Sequence, residues 1–172
     1  ELVDGTTGAR TGVLPITGFL RRPPYLMRAF ERNYLPAIGQ VALRTRSAAE
    51  LGYDPALHGA EDVDLVLRAL AAGKRAVLVD EVGYRFHAYP GSLSRRLPNQ
   101  RRMYAATLRK HSYAAVRRRL GQAGATPALV AWALVSFATF RGEYREALAL
   151  VDEAERLGGD PSEVVEPDGP CP

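Results

Sequence analysis

A chain of 172 residues is long enough for one ordinary domain, or for a domain with a small appendage. Its 47% hydrophobic and 24% charged residues describe a globular protein rather than a disordered tail, and no uninterrupted apolar run is long enough to cross a bilayer. The formal charge of +4 suits anionic ligands without identifying one, and a single cysteine, Cys171, excludes an internal disulfide and a cysteine-built metal site.

The chain opens at Glu1 without an initiator methionine, on the loop-like Asp4-Gly5-Thr6-Thr7-Gly8, as a fragment or a processed product would. Without a secretory signal pattern, a cytoplasmic setting is expected. Residues 1–15, rich in Gly and Thr, are expected to form a loop or an edge strand. Arg22-Pro23-Pro24 then interrupts structure before a short helix over about 25–32; Arg21 and Arg22 suit an acidic substrate group but are more often simply solvated. Leu35 to Arg44 carries enough apolar and β-branched residues for a strand, with a break at Gly39. Ser47 is positioned to cap a short helix over 48–51 that Gly52 ends, and Tyr53-Asp54-Pro55 turns the chain toward His58.

Next comes Gly59-Ala60-Glu61-Asp62-Val63-Asp64-Leu65. Val63, Val66, Leu67 and Leu70 have the spacing of one helix face, Gly73 supplies a left-handed stop, and Lys74 with Arg75 lies at the negative end of the dipole. Glu61 and Asp62 therefore enter the helix at its positive end. One reading is a favourable dipole interaction, about 0.3–1 kcal/mol each. The other is that Asp62 is a general base, held rigid by the helix it begins.

Ala76-Val77-Leu78-Val79 predicts a buried strand, and Val82 to Phe86 a second one. The alternation of Tyr84, Phe86 and Ala88 with Arg85, His87 and Tyr89 places Arg85 and His87 on one strand face, a cation beside an imidazole; two surface residues of an edge strand are the alternative. Pro90 to Arg96 is a turn with hydroxyls and cations that include Arg95. A long basic helix is predicted over about 98–120, with Arg101, Arg102, Arg109, Lys110, Arg117, Arg118 and Arg119 around it. Such a surface suits an anionic lipid headgroup, though a solvated face is the commoner outcome. Nucleic acid is disfavoured, because aromatic residues are not interleaved with the basic ones.

Thr126-Pro127 then signals an N-cap and first helical residue, and a helix to Phe140 carries Leu129, Trp132, Ala133, Phe137 and Phe140 as a stripe. After Gly142-Glu143, a second helix aligns Tyr144, Ala147, Leu148, Val151, Ala154 and Leu157. This hairpin resembles one tetratricopeptide repeat through Leu134, Gly142, Tyr144, Ala147, Ala154 and Leu157; it departs at Trp132, one position late, at Val135 in place of a small residue, and at a displaced Pro161. A lone hairpin cannot bury both faces, so it is expected to pack on the basic helix or on another chain. Residues 162–172 have the composition of a disordered tail.

Ala42-Leu43-Arg44-Thr45-Arg46-Ser47, Leu51-Gly52-Tyr53-Asp54, Glu61-Asp62-Val63-Asp64-Leu65-Val66-Leu67-Arg68, Gly73-Lys74 and Tyr84-Arg85-Phe86-His87 occur in an order and spacing that resemble the second half of the GT-A catalytic domain of glycosyltransferase family 2, over about residues 33–96. The resemblance implies an α/β fold, a partial GT-A mixed sheet with flanking helices, followed by an all-α C-terminal hairpin. The implied division is an acceptor-side half over 1–97, a basic connecting helix over 98–125, the hairpin over 126–161 and the tail.

It also implies transfer of a sugar from a nucleotide-diphosphate donor to an acceptor hydroxyl with inversion. Asp62 would be the general base, Glu61 and His58 would face the acceptor, Arg85 and Arg95 would bind diphosphate, and His87 would ligate a divalent cation, Mn or Mg. The cation would be shared with an Asp-x-Asp motif expected upstream; Asp62-Val63-Asp64 matches that pattern only by accident, since it belongs to the acidic helix. The donor-binding half would precede Glu1, so this chain alone is expected to be inactive. The competing expectation is an interaction module that recruits a protein partner, or a second copy of itself, through the hairpin.

Overall fold

The computed structural model describes residues 1–12, 30, 41–77, 79, 81, 83–91 and 97–160. The helix expected over 25–32 (apart from Phe30), most of the 35–44 strand, Arg21, Arg22, Arg95 and the 162–172 tail lie outside them. Within them the chain is mixed α/β with helices dominant, a small sheet and six helices. In chain order these are β1 (Leu2–Asp4), β2 (Arg10–Gly12), α1 (Thr45–Leu51), α2 (Glu61–Ala71), β3 (Phe86–Ala88), α3 (Leu97–Arg109), α4 (Tyr113–Gln122), α5 (Pro127–Arg141) and α6 (Tyr144–Arg156).

The sheet has the order β2-β1-β3. β1 pairs antiparallel with β2, with a register shift between Leu2 and Val3, and parallel with β3 through Leu2–Phe86, Val3–His87 and Asp4–Ala88. The N-terminal segment, expected as a loop or an edge strand, thus supplies both the central strand β1 and the edge strand β2. Asp4 closes the β1–β2 turn by accepting from the amides of Thr6 and Thr7, at 2.9 and 2.7 Å, as an Asx turn does. Gly5 beside it leaves room for the Tyr89 ring, from which a Cβ would stand 2.5 Å.

Three sequence expectations are corrected here. Residues 76, 77 and 79 form no strand, and Val77 and Val79 are 85% and 67% exposed instead of buried; an apolar, β-branched run favours the extended state but needs a neighbour to pair with, and none is seen among the described residues. The second strand begins at Phe86, where the one expected over 82–86 was to end. Ser47 lies inside α1, which starts at Thr45 with Arg44 as a cap lacking a side-chain bond.

The long basic helix is two helices. Lys110 and His111 donate to the carbonyls of Thr107 and Leu108, three residues back, which tightens and ends α3. Ser112 is extended and its hydroxyl accepts from the Ala115 amide at 3.2 Å, starting α4. The hairpin follows its sequence signals: Thr126 accepts from the Leu129 amide, Pro127 is first in the helix, and Gly142 at φ 78° takes the left-handed stop.

A single apolar cluster holds the helices. Val63 and Leu67 of α2 meet Phe30, Tyr104 and Leu108, and the cluster continues through Val116, Leu120, Leu134, Phe137 and Ala138 to Ala147 and Leu150 of α6. Helix α5 packs on α3, α4 and α6, as the hairpin needed; α2 packs on α1 and α3. The outer positions Phe140, Tyr144, Leu148 and Leu157, expected on the packed stripe, are exposed, because Ala147, Leu150 and Ala154 already fill the contact with α5. Gly159 closes the end of α6 against Trp132: a Cβ would lie 2.7 Å from its Nε1.

Candidate active site

Helix α2 begins under backbone strain. Its N-cap is Ala60 in the left-handed region (φ 56°, ψ 19°), without a side-chain cap, after Gly59 at φ 140°. A residue with a Cβ is uncommon there, and such conformations persist only where the surroundings fix them. Ala60 is buried in the core cluster, which supplies that constraint. The strained residue directly precedes Glu61 and Asp62.

Glu61 is exposed, while Asp62 is half-buried and accepts the Val63 amide at 2.8 Å. Burial is the main cause that raises the Asp62 carboxyl above its ordinary 3.8; the Val63 amide lowers it and the neighbouring Glu61 charge raises it further. Among the described residues no cation pairs with Asp62. His58 is exposed in the loop between α1 and α2.

Two residues on, Asp64 has the opposite environment. It is fully buried, and its Oδ2 accepts from Arg68 Nε at 2.7 Å while its Oδ1 accepts from Lys110 Nζ at 2.8 Å. Arg68 extends past Asp64 to the carbonyls of Leu51 and Gly52, both at 2.7 Å, and so ties α2 to the end of α1. Lys110 also donates to Asp54, whose other oxygen accepts the Ala56 amide and shapes the turn before His58. Partial burial works against the Lys110 charge, but Asp54 and Asp64 outweigh it and leave its pKa above the ordinary 10.5. The hydrogen bond from Lys110 is the leading cause that lowers Asp54. Two acids and two cations make the quartet neutral overall, which is how a buried carboxylate is tolerated.

The quartet was not anticipated. Asp64 and Arg68 stand at i and i+4, a spacing visible in the sequence; Lys110 comes from 46 residues away and left no local signal. Beside it, His111 meets the Phe30 ring edge-on at 5.2 Å, and its buried Nε2 has no hydrogen-bond partner among the described residues.

Arg85 and His87 lie elsewhere, on and beside β3. Arg85 Nε pairs with Glu1 at 2.9 Å and lines a shallow cavity of about 260 Å³ with Glu1, Gly83 and Tyr84. His87 is exposed opposite Val3. Among the described residues, no hydrogen bond or ion pair links either one to Asp62. A magnesium or manganese ion at a diphosphate wants several oxygen ligands, and no group of three His, Cys, Asp or Glu suited to a metal forms among the described residues. His87 alone would supply one nitrogen, so no step below is routed through a metal. Compared with protein-family models, with curated proteins and with solved structures, the chain matches none.

Proposed function

We propose that this chain is the acceptor-side part of an inverting glycosyltransferase that moves a sugar from a nucleotide-diphosphate donor to an acceptor hydroxyl in the cytoplasm. The observation that carries the reading is the contrast between two carboxylates on one helical turn. Asp64 is neutralised by Lys110 and Arg68, whereas Asp62 is left half-buried with a raised proton affinity at the strained start of the helix. A half-buried carboxylate without a cation beside it, fixed at a helix start, is suited to act as a base. Asp62 removes the acceptor hydroxyl proton as that oxygen attacks the anomeric carbon and the bond to the diphosphate breaks on the opposite face. Glu61 and His58, both exposed, orient the acceptor. Arg85 and Arg95 neutralise the leaving diphosphate, and His87 would offer one nitrogen to a divalent cation whose oxygen ligands would have to come from the donor half.

Replacing Asp62 by Asn in a longer protein that carries the donor half should lower kcat by about 10²–10⁴, with the circular dichroism spectrum unchanged. Unchanged kcat would remove the base assignment. The chain by itself is expected to show no turnover of sugar nucleotide.

A second reading, favoured by Tyr144 and Leu148 at 67% and 68% exposure one turn apart on α6, is an interaction module whose hairpin recruits a protein partner or a second copy. Sedimentation of the chain over a concentration series tests self-association: Leu148→Arg should abolish any dimer, and a monomer at every concentration would oppose pairing between copies.

A further inference from the structure

The contacts that end on Asp64 begin in the C-terminal hairpin. Arg141, at the end of α5, stacks its guanidinium over the rings of Tyr113 and Phe137, 4.9 Å from each, donates to the His111 carbonyl at 3.0 Å, and pairs with Glu143. Glu143 also accepts from the Tyr113 hydroxyl at 2.6 Å, and Arg109 donates to the Arg141 carbonyl. The turn between α5 and α6 thus grips the short Lys110-His111-Ser112 junction between α3 and α4 from both sides. That junction delivers the Lys110 ammonium to Asp64 and Asp54.

We propose that Lys110 is a positioning residue for Asp62, a clamp through which the helical hairpin fixes the start of α2 and the 52–58 loop. This rests on the reading of Asp62 as the base. The path is short. Asp64 Oδ1 is held by Lys110, the Asp64 amide donates to the strained Ala60 carbonyl at 2.9 Å, and Asp62 lies between them on the same turn. On the loop side Lys110 holds Asp54, whose carbonyl accepts the Leu57 amide at 3.1 Å just before His58. One ammonium therefore joins the helical turn that carries Asp62 to the loop that would meet the acceptor. Arg68 shares the hold on Asp64 and reaches the Leu51 and Gly52 carbonyls where α1 ends, whereas the Asp54 carboxylate further along the loop is bonded by Lys110. Without Lys110, Asp54 loses its cation and keeps only the Ala56 amide at its other oxygen, and Asp64 keeps Arg68 as its cation.

The test uses this chain with no sugar or nucleotide present. In Lys110→Met, which keeps the stem and removes the charge, amide exchange at Leu57, Val63 and Asp64 should accelerate by about tenfold or more, while Leu150 of α6 changes by less than about threefold. The titration midpoint of the Asp62 carboxyl, followed by carbon NMR, should move by about half a pH unit or more, and Lys110→Arg should restore both readouts. If the three amides and the Asp62 midpoint stay as in the unaltered chain, the clamp is disproved. Equal acceleration at Leu150 would also disprove it, because Lys110 would then support only the general fold. Kcat surviving Asp62→Asn in the longer protein would remove the transfer reading and leave this result standing, so the two failures are distinct.

Discussion

At the scale of single residues, burial acts differently on each titratable group near the start of α2. His111 is depressed below its ordinary 6.5, chiefly by burial; Lys110, Arg68 and Arg141 lower it further and Asp64 opposes them. Its folded form takes up a proton less readily than the unfolded chain. The stability that neutral His111 preserves is therefore complete above about 6.5 and is lost as pH falls through its lower folded value. Asp62 works in the opposite sense: with a folded value above 3.8, its contribution is present below that pH and lost as pH rises through the folded value.

Thermal melts from pH 7 to pH 5 should show a falling midpoint that His111→Gln flattens; an equal fall in the variant would assign the acid sensitivity to another group. Asp54, Glu143 and Glu153, all lowered by ion pairs or hydrogen bonds, add their own losses only at more acidic pH. In the sequence Asp62 stood out because it opens an amphipathic helix. The environment that distinguishes it from Asp64 did not, because that environment is made by side chains brought from other elements.

At the scale of elements, helices with a local stop or start were legible. Thr126, Pro127, Gly142 and Gly73 carry their own geometry: Gly73 at φ 79° lets its own amide reach Leu70 and the Lys74 amide reach Ala69, the paired bonds of a Schellman stop. Ser112 carried an equally local signal that was hidden inside a continuous run of helix formers. Replacing Ser112 by Ala should lower stability by about 1 kcal/mol, through the lost bond to Ala115, and Ser112→Asp should retain most of it. Urea melts with an unchanged slope would report this directly; no change in midpoint would mean that packing alone ends α3. Strand pairing is non-local and was less legible. The apolar run at Val77 and Val79 was expected to pair and does not, and the start of the chain, expected as a loop or an edge strand, supplies the central strand as well as an edge, because pairing depends on which segment lies alongside.

At the scale of the whole molecule, the apolar cluster from Val63 to Leu150 makes α2 part of the same packed body as the hairpin. The basic segment serves that packing. Lys110 is held by two acids, Arg117 pairs with both oxygens of Glu153 at 2.6 and 2.8 Å, and Arg109 is bonded to a carbonyl, so these three cations tie the segment to neighbouring elements. No helix among the described residues is long and apolar enough to cross a membrane.

Leu2 sits beside Phe86, and the Phe86 amide bonds to the Glu1 carbonyl at 2.8 Å, so the smallest layer of the fold joins positions 84 apart. The α5–α6 pair needs only a two-residue turn. Closing the longer span costs more chain entropy before any contact repays it, so the sheet should assemble late and the helices early. Pulse-labelled refolding should find the Leu150 amide shielded before that of Phe86, and partial unfolding should release the edge strand first, leaving a helical body that outlives its sheet.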